Sequence, residues 1–281
     1  CCTVPGNANS SVDKKTNSST SHLRSSARWT RQPRRFTQRR TRRARWGHGV
    51  TSRGPGDPPI DWLQRQIEAH STGADGGYRL TVDVDEFRFV FIVRPNGTRP
   101  VDRWYFLIPY DEATTEYDGD FALAEEPASQ AERDFAFIHI SDSQFASEKD
   151  GRWLGEDFEE LSQQSGEPAF AIMSGDLVQT GYIEEWDRYA DARKSLALPM
   201  YEVFGGHGGN YARPLSVGHF RLYSGPDWYA FHYGGVCFVV MDHLSDYLTE
   251  ASRRRQQHWL DRFCAALPAG TPIVATAHYP K

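Results

Sequence analysis

Short apolar blocks alternate with longer amphipathic stretches along the second half of the chain. Phe135–Ile140, Ala169–Met173, Met200–Phe204, Trp228–Tyr233, Val236–Met241 and Ile273–Ala277 are rich in branched and aromatic residues, the texture of buried strands. Asp157–Gln164, Tyr182–Lys194 and Glu250–Leu267 lie between them and read as helices, the last clearly amphipathic. The alternation predicts a layered α/β domain over residues 131–281, with helices covering a sheet. In such folds chemistry gathers at the loops beyond the carboxyl ends of the strands.

Upstream the texture differs. Tyr78–Val84, Phe87–Val93 and Arg103–Ile108 have strand composition and are separated by turn signals such as Pro95-Asn96-Gly97. They predict a small β-sandwich-like unit within residues 57–130, closing near Asp120–Leu123 and followed by a Glu/Ala-rich linker, Ala124–Arg133. Residues 1–56 are different again. Ser, Thr and Asn dominate from Asn9 to Ser21 and Arg from Arg24 to Arg53, with too few apolar residues to offset ordering entropy, so disorder is expected.

Charge follows the same division. Residues 1–56 hold 13 Lys+Arg and one acid, Asp13, for +12; the other 19 bases and 36 acids give −17, which together make the −5 of the whole chain. The basic segment is of a kind that binds nucleic acid through phosphate charge, but a body of −17 repels the same polyanion, so nucleic acid is not the expected partner. No stretch approaches the roughly 18 consecutive apolar residues of a membrane-spanning helix. The four cysteines, Cys1, Cys2, Cys237 and Cys264, have neither zinc-site nor disulfide-framework spacing.

The candidate chemistry lies at the strand ends. The first runs into Ser141-Asp142-Ser143-Gln144, the second into Ser174-Gly175-Asp176, the third into Gly205-Gly206-His207-Gly208-Gly209-Asn210, and the last into His278-Tyr279-Pro280. Any one of these is commonly a turn or a cap. Their recurrence at four strand ends, in order, points to a site. Carboxylate, amide oxygen and imidazole together suit a divalent metal such as Mn, Fe or Zn, whereas a thiolate site would need cysteine.

These motifs carry a family resemblance. Residues 135–281 resemble the first two-thirds of a calcineurin-like metallophosphoesterase domain. Asp142-Ser143-Gln144 resembles its Asp-x-Gln, Gly175-Asp176 its Gly-Asp, Gly205-Gly206-His207-Gly208 a divergent form of its Gly-Asn-His-Asp/Glu, and His278 its late histidine. Asp227–Asp242 and Gln256-Gln257-His258-Trp259-Leu260 resemble its aromatic strand pair and its Gln-x-x-Trp-Leu helix. The upstream β unit resembles the β-sandwich that precedes this domain in one bacterial branch.

The resemblance implies a two-metal phosphoesterase acting on a phosphomonoester or phosphodiester. Asp142 and Gln144 would bind the first ion, Asp176 would bridge both, His278 would bind the second, and His207 would serve as general acid near the leaving group. Such a pair of ions lowers the pKa of a bridging water and clamps the phosphoryl oxygens. Two departures stand out: Gly206 replaces the ligating Asn, for which Asn210 is the candidate substitute, and Gly208 replaces the acid that orients the histidine. The family's Gly-His-x-His motif is expected beyond Lys281, in a longer protein of which this chain is an incomplete reading. Two competing readings are a catalytically degenerate domain with a binding or structural role, and a nucleic-acid protein acting through the basic tail. The β-sandwich branch implies an exported, periplasmic or extracellular, bacterial protein.

Other polar residues read as structural: His139 as a sheet residue, His232 and His243 as strand-associated histidines, Trp228, Tyr229 and Phe231 as core aromatics, and Arg253-Arg254-Arg255 as a solvated helix face.

Overall fold

The computed structural model describes residues 89–281 apart from 102, 109–118, 130–133, 164–166, 210–216, 245–246 and 280–281, and before them the backbone of five short strands. Three of the five, Cys2–Thr3, Leu23–Ser25 and Ala27–Thr30, lie within residues 1–56. The rest of that segment, and with it most of the expected disorder, lies outside the described residues.

The β unit is built from β1 (Phe89–Val93), β2 (Thr98–Pro100), β3 (Tyr105–Leu107) and β4 (Phe121–Glu125), with β1 antiparallel to β3 and β2 antiparallel to β4. Every residue of β1 is buried. The described part of the expected linker, residues 124–129, is not loose: Ala124 and Glu125 complete β4, and Ser129 is buried, its carbonyl accepting hydrogen bonds from Gly97 and Gly234. Arg94, 3% exposed, fastens this unit to the rest of the chain. It donates to the carbonyl of Thr98 and the hydroxyl of Tyr201, pairs with Glu126, and lies over the ring of Tyr233.

The α/β unit follows the predicted alternation: β5 (Ile138–Ile140), α1 (Glu148–Ser162), β6 (Ala171–Met173), α2 (Ile183–Arg193), β7 (Met200–Glu202), α3 (Gly218–Tyr223), β8 (Tyr229–Tyr233), β9 (Val236–Val240), α4 (Glu250–Ala266) and β10 (Ile273–Thr276). β5, β6 and β7 form a parallel sheet. β8 and β9 form an antiparallel hairpin, to which β10 adds in parallel. Side-chain alternation divides the sheet residues between two cores. Ile172 and Tyr201 join the β8–β9 aromatics, Trp259 and Phe91 in one; Ala171, Met173 and Met200 join Leu154, Phe158, Trp186 and Phe220 in the other. The first core therefore runs without interruption from the β unit into the α/β unit.

Two expectations are corrected. α1 begins nine residues before the predicted Asp157, because Ser147 and Asp150 form a reciprocal capping box at its N-terminus. Within it, Gly151 and Gly155 sit against Arg188 and Ala192 and let α1 and α2 approach closely. The arginine triplet is not a uniform solvated face: Arg253 and Arg254 pair with Glu250 at the surface, but Arg255 is 8% exposed. Trp228, Tyr229 and Phe231 are core aromatics, as expected. Among the described residues, no helix is long and apolar enough to cross a membrane.

Candidate metal centre

The site is assembled where β5 and β6 run out. Their hydrogen-bond ladder does not stop with the strands: Asp142 N–H donates to the carbonyl of Gly175 (3.1 Å), Gln144 N–H to that of Asp176 (2.9 Å), and the Ser143 hydroxyl to that of Leu177 (2.7 Å). The two loops thus form one paired lip. Three of its non-glycine residues, Asp142 (φ 58), Gln144 (φ 35) and Asp176 (φ 51), are in the left-handed region. Each costs roughly 1–2 kcal/mol relative to a right-handed backbone. Strain of this kind collects at functional sites, and here it falls on three of the residues singled out by sequence.

Asp176, 2% exposed, is the hub. Its Oδ1 accepts the backbone N–H of His207 (2.9 Å), and its Oδ2 accepts Nε2 of Gln144 (3.2 Å). His278 arrives from the end of β10. Its Nδ1 lies 2.8 Å from the carbonyl of Ser174, which can only accept, so Nδ1 carries a proton, and in the neutral ring Nε2 holds the lone pair. That lone pair lies 3.1 Å from Asp176 Oδ2, and Nε2 is buried without a hydrogen-bond partner. Two acceptors facing each other in a buried place repel unless a cation or a proton sits between them.

One ligand atom each from Asp142, Asp176 and His278 lies within 4.8 Å of the others. Two carboxylates and an imidazole whose other nitrogen is held by a backbone carbonyl form a donor set suited to Mn, Fe or Zn. The residues present therefore fit a divalent cation. The packing leaves little tolerance around them: a Cβ on Gly175 (φ 96) would overlap the His278 ring, and one on Gly205 would overlap Asp176.

The remaining predicted residues are placed differently. Gln144 reaches the centre through its amide on Asp176. His207 lies in a short 3-10 turn, Gly206–Gly208, attached to Asp176 by its backbone, and its Nδ1 lies 2.6 Å from the carbonyl of Gln179 rather than in the ligand group. Asn210 lies outside the described residues. His139 is exposed and bonds Ser174 Oγ through Nε2 (2.8 Å), which leaves it a sheet residue beside the lip. Burial lowers the pKa of His232, in keeping with a structural role.

Three residues were not anticipated. Gln179 supplies the carbonyl that meets His207, and Glu185 at the start of α2 clasps the segment containing it. Asp242, at the end of β9, is a buried carboxyl whose pKa is raised to about 8 by desolvation and by Asp227, itself held by two hydrogen bonds from Arg221. A backbone carbonyl has no sequence signature, and an isolated Glu or Asp in a helix or loop does not announce its burial.

No protein-family profile matches the chain. It is similar to the serine/threonine-protein phosphatase CPPED1 of Bos taurus, 30% identical over 115 residues that cover 36% of each protein. It is also similar to the Mus musculus protein of the same name, 31% identical over 117 residues that cover 37% of each. The chain thus spans little more than a third of the length of these curated relatives. Among solved structures, it aligns with the purple acid phosphatase PPD1 from yellow lupin seeds at 14% identity and a TM-score of 0.40, covering 59% of this chain and 34% of that one. The likeness to the CPPED1 phosphatases supports a metallophosphoesterase fold for this chain.

Proposed function

We propose that this chain carries a metal-dependent phosphoesterase site, hydrolysing a phosphomonoester or phosphodiester at the Asp142–Asp176–His278 centre. The observation that carries the reading is the buried His278 Nε2 lone pair facing Asp176 Oδ2, with an Asp142 oxygen in reach of both. Asp142, Asp176 and His278 would hold a divalent cation, with Gln144 able to turn its amide oxygen to the same point. A cation there supplies Lewis acidity toward a phosphoryl oxygen and lowers the pKa of a water. The chain's own contribution is positional. The paired lip fixes the carboxylates, the Ser174 carbonyl fixes the tautomer of His278, and His207, tied to Asp176 through its backbone, would hold a proton for the departing alkoxide.

A second cation is the finer part of the proposal. Asp176 would bridge, and position 206 is where a further ligand is missing. A Cβ there would fit in ordinary van der Waals contact, with Leu244 and Tyr247 the nearest side chains at 3.9 Å. Gly206→Asn is therefore expected to add a second binding event in calorimetric titration with Mn2+. The competing reading, a degenerate domain that binds a ligand without hydrolysis, draws on the three ligands of the described group, enough for one ion but not two. Titration with Mn2+ and Zn2+, alongside hydrolysis of 4-nitrophenyl phosphate and bis(4-nitrophenyl) phosphate, separates the two. Metal-stimulated release of nitrophenol that is lost in Asp176→Ala supports the enzyme. Metal binding without hydrolysis of either ester supports the degenerate domain, and absence of both overturns the site.

A further inference from the structure

The acid that would orient the histidine from the next position is absent, since residue 208 is glycine. The structure supplies the orientation from elsewhere. Nδ1 of His207 lies 2.6 Å from the backbone carbonyl of Gln179. A carbonyl oxygen has no proton to give, and it lies much closer to Nδ1 than the side-chain Nε2 of Gln179 does (3.4 Å), so Nδ1 carries the hydrogen and the neutral ring holds its lone pair on Nε2.

That carbonyl is itself held in place. Residues 179–181 follow Asp176 and lead into α2, and Gly181 takes a left-handed conformation (φ 72). The two ends of this turn are held by the Gln179 N–H on the carbonyl of Phe145 (3.1 Å) and by His219 Nδ1 on the carbonyl of Gly181 (2.7 Å), which leaves the N–H groups between them to be satisfied. Glu185, the third residue of α2 and only 6% exposed, reaches back over the turn. Its Oε2 accepts the N–H groups of Thr180 (2.8 Å) and Gly181 (2.9 Å), and its Oε1 accepts the Thr180 hydroxyl (2.6 Å). An ionised carboxylate is an acceptor-only group, and here it takes three bonds from two consecutive residues. It also lies at the helix N-terminus, where the unsatisfied N–H groups and the dipole favour negative charge. The residue preceding this clasp is the one whose carbonyl meets His207. Tyr182 at the cap position makes no side-chain capping hydrogen bond, and Glu185 bonds the two residues before it instead.

We infer that Glu185 is a positioning residue for His207: by clasping Thr180 and Gly181 it sets the Gln179 carbonyl, which holds the imidazole in the Nδ1–H tautomer and aims Nε2. The inference rests on the reading of His207 as the proton donor of the proposed phosphoesterase, and it names what replaces the missing neighbouring acid.

The test uses the whole chain labelled with 15N and two-bond 1H–15N correlation of the histidine rings at a pH where they are neutral. His207 is expected to show a pyrrole-type Nδ1 and a pyridine-type Nε2. In Glu185→Ala this pattern is expected to be lost in favour of the Nε2–H form usual for an unconstrained imidazole, while His278, held by Ser174, keeps its Nδ1–H pattern as the control for folding. Glu185→Gln retains one acceptor oxygen and is expected to fall between the two, and it decides the matter if the alanine variant does not fold. An Nε2–H ring in the parent chain overturns the inference, as does an unchanged His207 pattern in the folded variants. The outcome is independent of turnover. A chain that hydrolyses neither nitrophenyl ester yet shows the Glu185-dependent tautomer would sink the proposed function and leave this assignment standing.

Discussion

Single residues set what the centre tolerates. Asp176 holds the His207 backbone with one oxygen and meets Gln144 and His278 with the other, whereas Asp142 contributes from an exposed position at the lip. Asp176→Ala is therefore expected to abolish measurable Mn2+ binding in calorimetry, and Asp142→Ala to weaken it while leaving a residual signal. Equal binding by both variants and the parent would refute the ligand assignment. Asp242 gives a separate prediction. Desolvation first, and then Asp227, raise its pKa from 3.8 to about 8, so the folded state holds a proton that the unfolded chain releases. Its contribution to stability is thus full below about pH 4 and is lost as pH rises toward about 8, at no more than roughly 1.4 kcal/mol per pH unit. Asp242→Asn keeps a hydrogen-bond donor beside Asp227 without the ionisation. Denaturant titrations are expected to show the variant gaining on the parent steadily from pH 5 to pH 8, and parallel stability curves would refute the shift.

Elements were readable where one periodicity ruled and obscure where it was interrupted. The strands that became β5 to β10 were found within a few residues because each is a short apolar block between polar loops, and the ends of those blocks carry Asp142, Asp176 and His278, whose ligand atoms the structure places within 4.8 Å of one another. Their order along the chain carried the information, since parallel strands bring successive carboxyl ends to one side. The start of α1 was missed because two glycines masked a helix whose real signal was Ser147 with Asp150. Removing that cap in Ser147→Ala is expected to cost about 1 kcal/mol in chemical denaturation, without change in metal affinity. Arg255 was misjudged for a different reason: consecutive residues on a helix are about 100° apart, so a run of three spans about 200° and its last member reaches the buried side here. The Gln179 carbonyl and the Glu185 clasp were beyond reach of the sequence, because they depend on where a turn places main-chain atoms.

At the scale of the whole molecule, coverage is uneven. Ile273 is 48% exposed, Val274 38% and Phe137 38%, although they lie in or beside β10 and β5, strands with parallel neighbours. Parallel sheets are ordinarily covered on both faces, and open apolar edges invite association.

The paired lip has a kinetic consequence. The amide hydrogens of Asp142 and Gln144 lie in loop residues, yet they are bonded across to Gly175 and Asp176 as the Ile138 amide is bonded to Phe170 within the sheet. In deuterated solvent they can exchange only when β5 parts from β6, so their protection is expected to match that of Ile138 and to exceed that of ordinary loop amides. Rapid exchange at Asp142 and Gln144 would show that the ladder ends with the strands. If the lip opens only with the sheet, the spacing of its donor atoms is fixed before any ion arrives. Discrimination among divalent cations would then follow ionic radius, with little room for the cradle to adapt.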